Sequence, residues 1–259
     1  MIGRRRVPGT PDETSDYMVT VGDLMAGLIF LFILTMMIFA FRFQTATEAI
    51  QSAQATRTLI LQELERRLEE EQMLVAIDTL QGVLRLSDRD GAIGFEFGRE
   101  VIVPDHLPRV WTLSRVLAQV VPCFSASEAL TCDMEDLDHH RHASRIHALQ
   151  IEGHTDTVSF AEGAASRFRG NLELSAARAA HIHELMLDAE PALETLTNTD
   201  GVRLLGVSGY GSARRLELVP GDDPRQRRID LRFIMEPPRG TQPAPVRAVD
   251  ERLSPGPDG

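Results

Sequence analysis

Between Tyr17 and Phe41 the chain reads YMVTVGDLMAGLIFLFILTMMIFAF, an apolar stretch interrupted by one carboxylate, Asp23. At ~1.5 Å rise per residue, a helix of this length crosses the ~30 Å of hydrocarbon in a bilayer. A carboxylate at membrane depth costs roughly 2.5–3.5 kcal/mol on insertion scales, and such residues are kept where they serve ion or proton traffic. Asp23 is therefore the first candidate functional residue, as a proton carrier, and the rest of the chain is read around it.

The flanks set an expected topology. Arg4, Arg5 and Arg6 precede the stretch and Arg42 follows it, and arginines beside a first span stay in the cytoplasm. The expectation is a single-pass protein of the bacterial inner membrane, with a cytoplasmic N-terminus and a periplasmic C-terminal domain. The apolar run is too long for a cleaved signal peptide, and no small-residue cleavage site follows it. No cysteine lies near it for lipid attachment. The formal net charge is -11, and every basic residue is arginine. An acidic exported domain gives no support to nucleic-acid binding. Cys123 and Cys132 suit a local disulfide in that compartment; two buried thiols are the alternative.

Composition divides the chain. Residues 1–16 form a polar tail with Pro8 and Pro11, and residues 17–43 the transmembrane helix. Residues 44–81 contain no Gly or Pro, which predicts a helical linker. Within it Leu61, Leu64, Leu68 and Val75 have partial a/d spacing, open to a two-helix coiled coil or a solvated stalk. Residues 82–236 change pattern. VLRLSDRDGAIGFEF predicts two strand segments about an Asp90-Gly91 turn, and Pro108–Val121 a helix. A polar insertion follows, then the strand ALQIEGH, the amphipathic helix LELSAARAAHIHELML, and the strands VRLLGVSGYG and RRIDLRFIM. Leu174, Ala177, Ile182 and Leu185 mark that helix's apolar face. This order predicts an α+β protein whose main domain is an α/β sandwich. Residues 237–259 are rich in Pro and Gly, a disordered-tail composition.

The blocks IEGHTD (Ile151–Asp156), NLELSAARAA (Asn171–Ala180), GVSGYG (Gly206–Gly211) and QRRIDLRF (Gln226–Phe233) resemble the OmpA-like peptidoglycan-binding domain. NLELSAARA and GYG are similar to its MotB branch, which also carries an N-terminal span with an aspartate followed by Leu-Met, as Asp23-Leu24-Met25 are here. Over the whole chain the pattern resembles the MotB-like subunits of Zorya antiphage systems. The resemblance implies that Asp156, beside Thr155, accepts hydrogen bonds from the ammonium of a peptidoglycan diaminopimelate. Arg178 would pair with its carboxylate, and Asn171 would cap or orient the motif helix. The chemistry fits such a ligand: a zwitterionic amino-acid end needs one anion and one cation, and arginine grips a carboxylate bidentately. Two departures stand out. TVSF follows where many relatives have a glycine shortly after the motif aspartate, and Gln226-Arg227-Arg228 replaces Asn-Arg-Arg.

The resemblance further implies a dimer of this subunit inside a MotA-like, ZorA-type multi-span partner, driven by H+ and anchored to peptidoglycan. A flagellar MotB-type stator and a passive tether of OmpA or Pal type remain alternatives. His139, His140, His142 and His147 lie near Asp133, Glu135, Asp136 and Asp138, but in no zinc-binding spacing. No metal or cofactor is expected. No phosphate loop, nucleophile triad or catalytic carboxylate pair stands out, so no enzymatic activity is expected.

Overall fold

The structure, a computed structural model, describes residues 13–87, 91–95, 98–127, 144–158 and 167–237, with the backbone alone at 13–16. Helix α1 (Glu13–Glu70) contains the apolar stretch. It is the one described helix long and apolar enough to cross a membrane, with a mean hydropathy of 2.7 over a stretch that has none of its residues buried. The chain divides into two compact units, Met1–Glu48 and Ala49–Gly259.

In the second unit the C-terminal part of α1 is a core element. Ile60, Leu61, Leu64 and Leu68 have no exposed surface and share one apolar cluster with Leu84, Leu117 and Phe233. The leucine spacing therefore reflects packing within the domain, in place of either a coiled-coil seam or a solvated stalk.

The helix ends eleven residues before the predicted limit at Gln81. Gln72 takes a left-handed φ of 60°. The Met73 amide donates to Leu68 O at 2.8 Å and the Gln72 amide to Glu69 O at 2.9 Å. This pair of bonds is a Schellman cap, satisfying carbonyls that the helix leaves open. Glycine usually occupies the left-handed position, so a glutamine there hides the stop.

Strand β1 (Ala76–Asp78) follows and pairs antiparallel with β2 (Val83–Ser87). The turn between them is closed by Gly82, at φ 69°, and by the Gln81 amide donating to Asp78 Oδ1 at 2.9 Å. This hairpin lies before the expected Asp90-Gly91 turn, of which Asp90 is outside the described residues. Phe95 bridges Ile102. Helix α2 (Leu107–Val120) has Pro108 in its first turn and buries Val110, Leu113, Val116, Leu117 and Val120. Trp111, on the opposite side, is exposed.

Strand β3 (Ile146–His154), helix α3 (Asn171–Ala189) and strand β4 (Leu205–Gly209) form a parallel crossover. Strand β5 (Arg228–Met235) enters antiparallel between β2 and β3, giving the order β1-β2-β5-β3-β4. Leu149 and Ile151 of β3, with Ile229, Leu231 and Phe233 of β5, join the buried cluster. Helix α3 packs against β3 and β4, and α2 against α3. The contact is close: a Cβ on Gly153 would fall 2.0 Å from Ser175 O, and one on Gly209 2.4 Å from Ala176 N. The buried stripe of α3 is Leu174, Ser175, Arg178, Ala179, Ile182 and Met186. Ala177 is only partly buried, and Leu185 packs at the margin.

Candidate functional site

The ends of β3 and β4 and the start of α3 are stitched together. The Tyr210 amide donates to Gly153 O at 3.0 Å and the Thr155 amide to Gly211 O at 2.9 Å. The Gly211 amide donates to Ser175 Oγ at 2.8 Å. Asp156 stands just beyond β3 and is 8% exposed. Its Oδ1 accepts from the Val158 amide at 3.2 Å, and its Oδ2 from Arg227 NH1 at 3.0 Å. A carboxylate has about four acceptor positions, so these bonds leave room for a ligand donor.

Asn171 Nδ2 donates to Asp156 O at 3.2 Å and Val158 O at 3.3 Å. Its side chain orients the loop carrying Asp156; it does not cap α3, whose N-cap position is Gly170. Thr155 is buried, and its Oγ1 finds no hydrogen-bond partner among the described residues. Arg178 lies in the buried stripe of α3, 3% exposed. Its Nε donates to Arg99 O at 3.0 Å, and Phe95 lies 4.7 Å from its guanidinium. The cation bonded to Asp156 is Arg227, with Arg178 engaged by Phe95 and Arg99.

Gln226, the departure from Asn-Arg-Arg, is fully buried. Its Oε1 accepts from the Leu216 amide at 2.9 Å, and its Nε2 donates to Val219 O at 3.3 Å and Pro220 O at 3.2 Å. It therefore ties down the loop after β4. Cys123 lies in the 3-10 turn after α2, its Sγ 3.8 Å from Gln119 O. Cys132, His139, His140, His142, Asp133, Glu135, Asp136 and Asp138 lie outside the described residues. His147 packs beside Asn198, whose Nδ2 donates to His147 O at 3.1 Å. Asp23 is exposed on α1.

A second polar group, unassigned by the sequence reading, lies on the sheet face turned away from α3. Register aligns Arg85, Asp230, Glu152 and Ser208 in one cross-strand row, and Ser87, Arg228 and His154 in the next. Glu152, His154, Arg228 and Asp230 are each at most 3% exposed. Arg232 holds Glu152 with two bonds of 2.8 Å. Asp230 accepts from Arg228 Nε at 3.1 Å and from Arg85 Nε at 3.1 Å. Tyr210 stacks on His154 at 5.5 Å, and Arg214 lies 3.6 Å from the Tyr210 ring. Burial, and then the neighbouring Arg228, push the His154 imidazole down from 6.5 to about 3, so it is neutral at physiological pH. Glu152 and His154 both stand in the IEGHTD block; their shared face follows from the two-residue period of a strand.

Glu152, His154 and Asp230 bring potential metal-ligand atoms within 4.8 Å of one another. The donor set could suit zinc, but the two carboxylates are already paired with four guanidinium groups, Arg85, Arg214, Arg228 and Arg232. That positive surround opposes a divalent cation.

Among solved structures the chain is similar to the periplasmic domain of Helicobacter pylori MotB, at 14% identity and TM-score 0.39, covering 67% of this chain and 87% of that one. It is also similar to a putative MotB-like protein from Desulfovibrio vulgaris, at 22% identity and TM-score 0.43, with coverage of 74% and 99%. A third likeness is to the cell wall anchor of the T6SS from Pseudomonas aeruginosa, at 14% identity and TM-score 0.42, covering 68% and 97%. At such scores the superpositions decide little, and the fold rests on the strand order and register described above. No protein-family model matches the chain, and no curated protein matches it.

Proposed function

We propose that this chain is the wall-anchored stator subunit of an ion-driven membrane motor. The observation that carries the reading is Asp23, an ionisable side chain within an apolar helix, on the same chain as a domain bearing the Asp156 site. One span cannot enclose a polar path, so a multi-span partner of MotA type supplies its other walls. A charge moving down the membrane potential releases ~2.3 kcal/mol per 100 mV, the work available for rotation. Asp23 takes a proton on the periplasmic side and releases it towards the cytoplasm. A dimer of this subunit sits within the partner, and the exported domain holds it against peptidoglycan.

At the wall site Asp156 receives the ligand ammonium, with Thr155 beside it, and Asn171 sets the loop. Arg178 receives the ligand carboxylate once Phe95 and Arg99 give way, since the guanidinium is buried beneath them. Arg227 holds Asp156 until the ammonium arrives.

The whole-chain resemblance to the ZorB subunits of Zorya systems favours antiphage defence over motility. The test is Asp23→Asn, which keeps shape and polarity but cannot carry a proton. The variant should be made and inserted normally, copurify with the partner, and lose phage protection. Loss of motility with phage protection unchanged would indicate a flagellar machine. Full activity in both assays would refute ion coupling through Asp23.

A further inference from the structure

The outer face of the sheet buries charges that could have been left in water. In a two-layer sandwich only the helix-covered face has to be dry. Here Glu152, Asp230 and Arg228 are buried on the other face, beneath the loop after β4. That loop is fixed by Gln226 and by Arg228 NH2 donating to Arg214 O at 2.8 Å. The fixed loop and the sheet bound an open pocket of about 1250 Å³.

Three features define what the pocket fits. Its polar lining is unbalanced: six arginines against four carboxylates, in a chain of net charge -11. It contains unsatisfied buried atoms. Neither ring nitrogen of His154 hydrogen-bonds to a described residue, and its Nε2 lies 3.5 Å from Asp230 and 3.9 Å from Glu152. Ser208 Oγ is likewise buried without a partner among the described residues. Buried polar groups left unpaired are costly, and a ligand that pairs them recovers that cost. Finally, guanidinium donors remain. Arg85 binds Asp230 through Nε alone among the described contacts, and Arg215 at the exposed rim makes no ion pair among the described residues.

We infer that this pocket binds a small organic anion, its carboxylate or phosphate taken by Arg85 and Arg215 and its polar remainder by His154 and Ser208. Arginine forks match the planar oxygens of either acid. The pocket belongs to the sheet's outer face, whereas Asp156 is held beside α3 by Asn171, so the anion is a ligand additional to peptidoglycan. The inference does not depend on the wall-binding reading.

Isothermal titration of the full chain in detergent at low salt tests it, with citrate and glycerol 3-phosphate as separate probes and zinc chloride as a third. Saturable binding of at least one anion, about one per chain, is expected, and the probe that binds identifies the acid. Arg215→Glu alters an exposed rim residue and should weaken that binding about tenfold or more. His154→Gln should weaken it while leaving peptidoglycan sedimentation unchanged. If His154→Gln does not fold, Arg215→Glu alone decides. Failure of both anions to bind, or anion binding indifferent to Arg215→Glu, would overturn the inference. So would zinc binding that depends on His154 in a protein that ignores both anions.

Discussion

Asp156 uses one oxygen for the Val158 amide and one for Arg227, so its charge is already partly answered in the free protein. On the proposed reading a wall ligand must improve on that arrangement. Asp156→Ala should lower cosedimentation of the detergent-solubilised full chain with purified peptidoglycan by about tenfold or more, leaving the circular dichroism spectrum unchanged. Arg178→Ala should weaken it similarly, with some loss of stability because the side chain is buried. Equal sedimentation by wild type and both variants would remove the site.

His154 supports a separate prediction. Its folded value of about 3 lies below the ordinary 6.5, so the unfolded chain binds this proton more readily. Its contribution to stability is complete above ~pH 6.5 and is lost as the pH falls towards 3, on the order of a few kcal/mol. Melting temperature should therefore fall between pH 7 and pH 4, and less steeply in His154→Gln. An identical slope in the variant would refute this assignment. Asp156 was legible because it sits in a motif. Its partner Arg227 lies 71 residues away, and sequence shows only that an arginine is available.

Among the elements, the central strands and α3 were legible because Leu149, Ile151, Ile229, Leu231 and Phe233 alternate and the motif helix is amphipathic. The end of α1 was not. Gln72 occupies a position usually marked by glycine, and β1 has only three residues, too few for a period to show. The β1–β2 hairpin, closed by Gly82, was hidden for the same reason, and Asp90 of the expected Asp90-Gly91 turn lies outside the described residues.

Leu64 distinguishes a core helix from a stalk. Leu64→Ala removes a fully buried side chain and should cost about 2–5 kcal/mol, read as a lower melting temperature of the α/β domain. A solvated stalk would lose almost nothing.

At the scale of the whole molecule, the apolar span was legible from hydropathy, and the strands around β3 and α3 identified the sandwich. The joining of Ile60–Leu68 to that sandwich was not, because a helix stripe does not name its partner. The proposed topology makes Cys123 and Cys132 a test of export, since the bridge forms in an oxidising compartment. Closing so short a loop contributes on the order of 2–3 kcal/mol in the chain-entropy account. Mass spectrometry of alkylated, unreduced protein from membranes should show the two cysteines linked. Two alkylated thiols would contradict the bridge and weaken the orientation on which the reading of Asp23 depends.

Proton entry itself is the most direct measurement. Cytoplasmic pH is followed in cells that carry this chain with its MotA-like partner, as external pH is lowered under conditions that activate the motor. Acidification is expected with the wild-type chain and none with Asp23→Asn at equal expression and assembly. Acidification that persists in Asp23→Asn would contradict it.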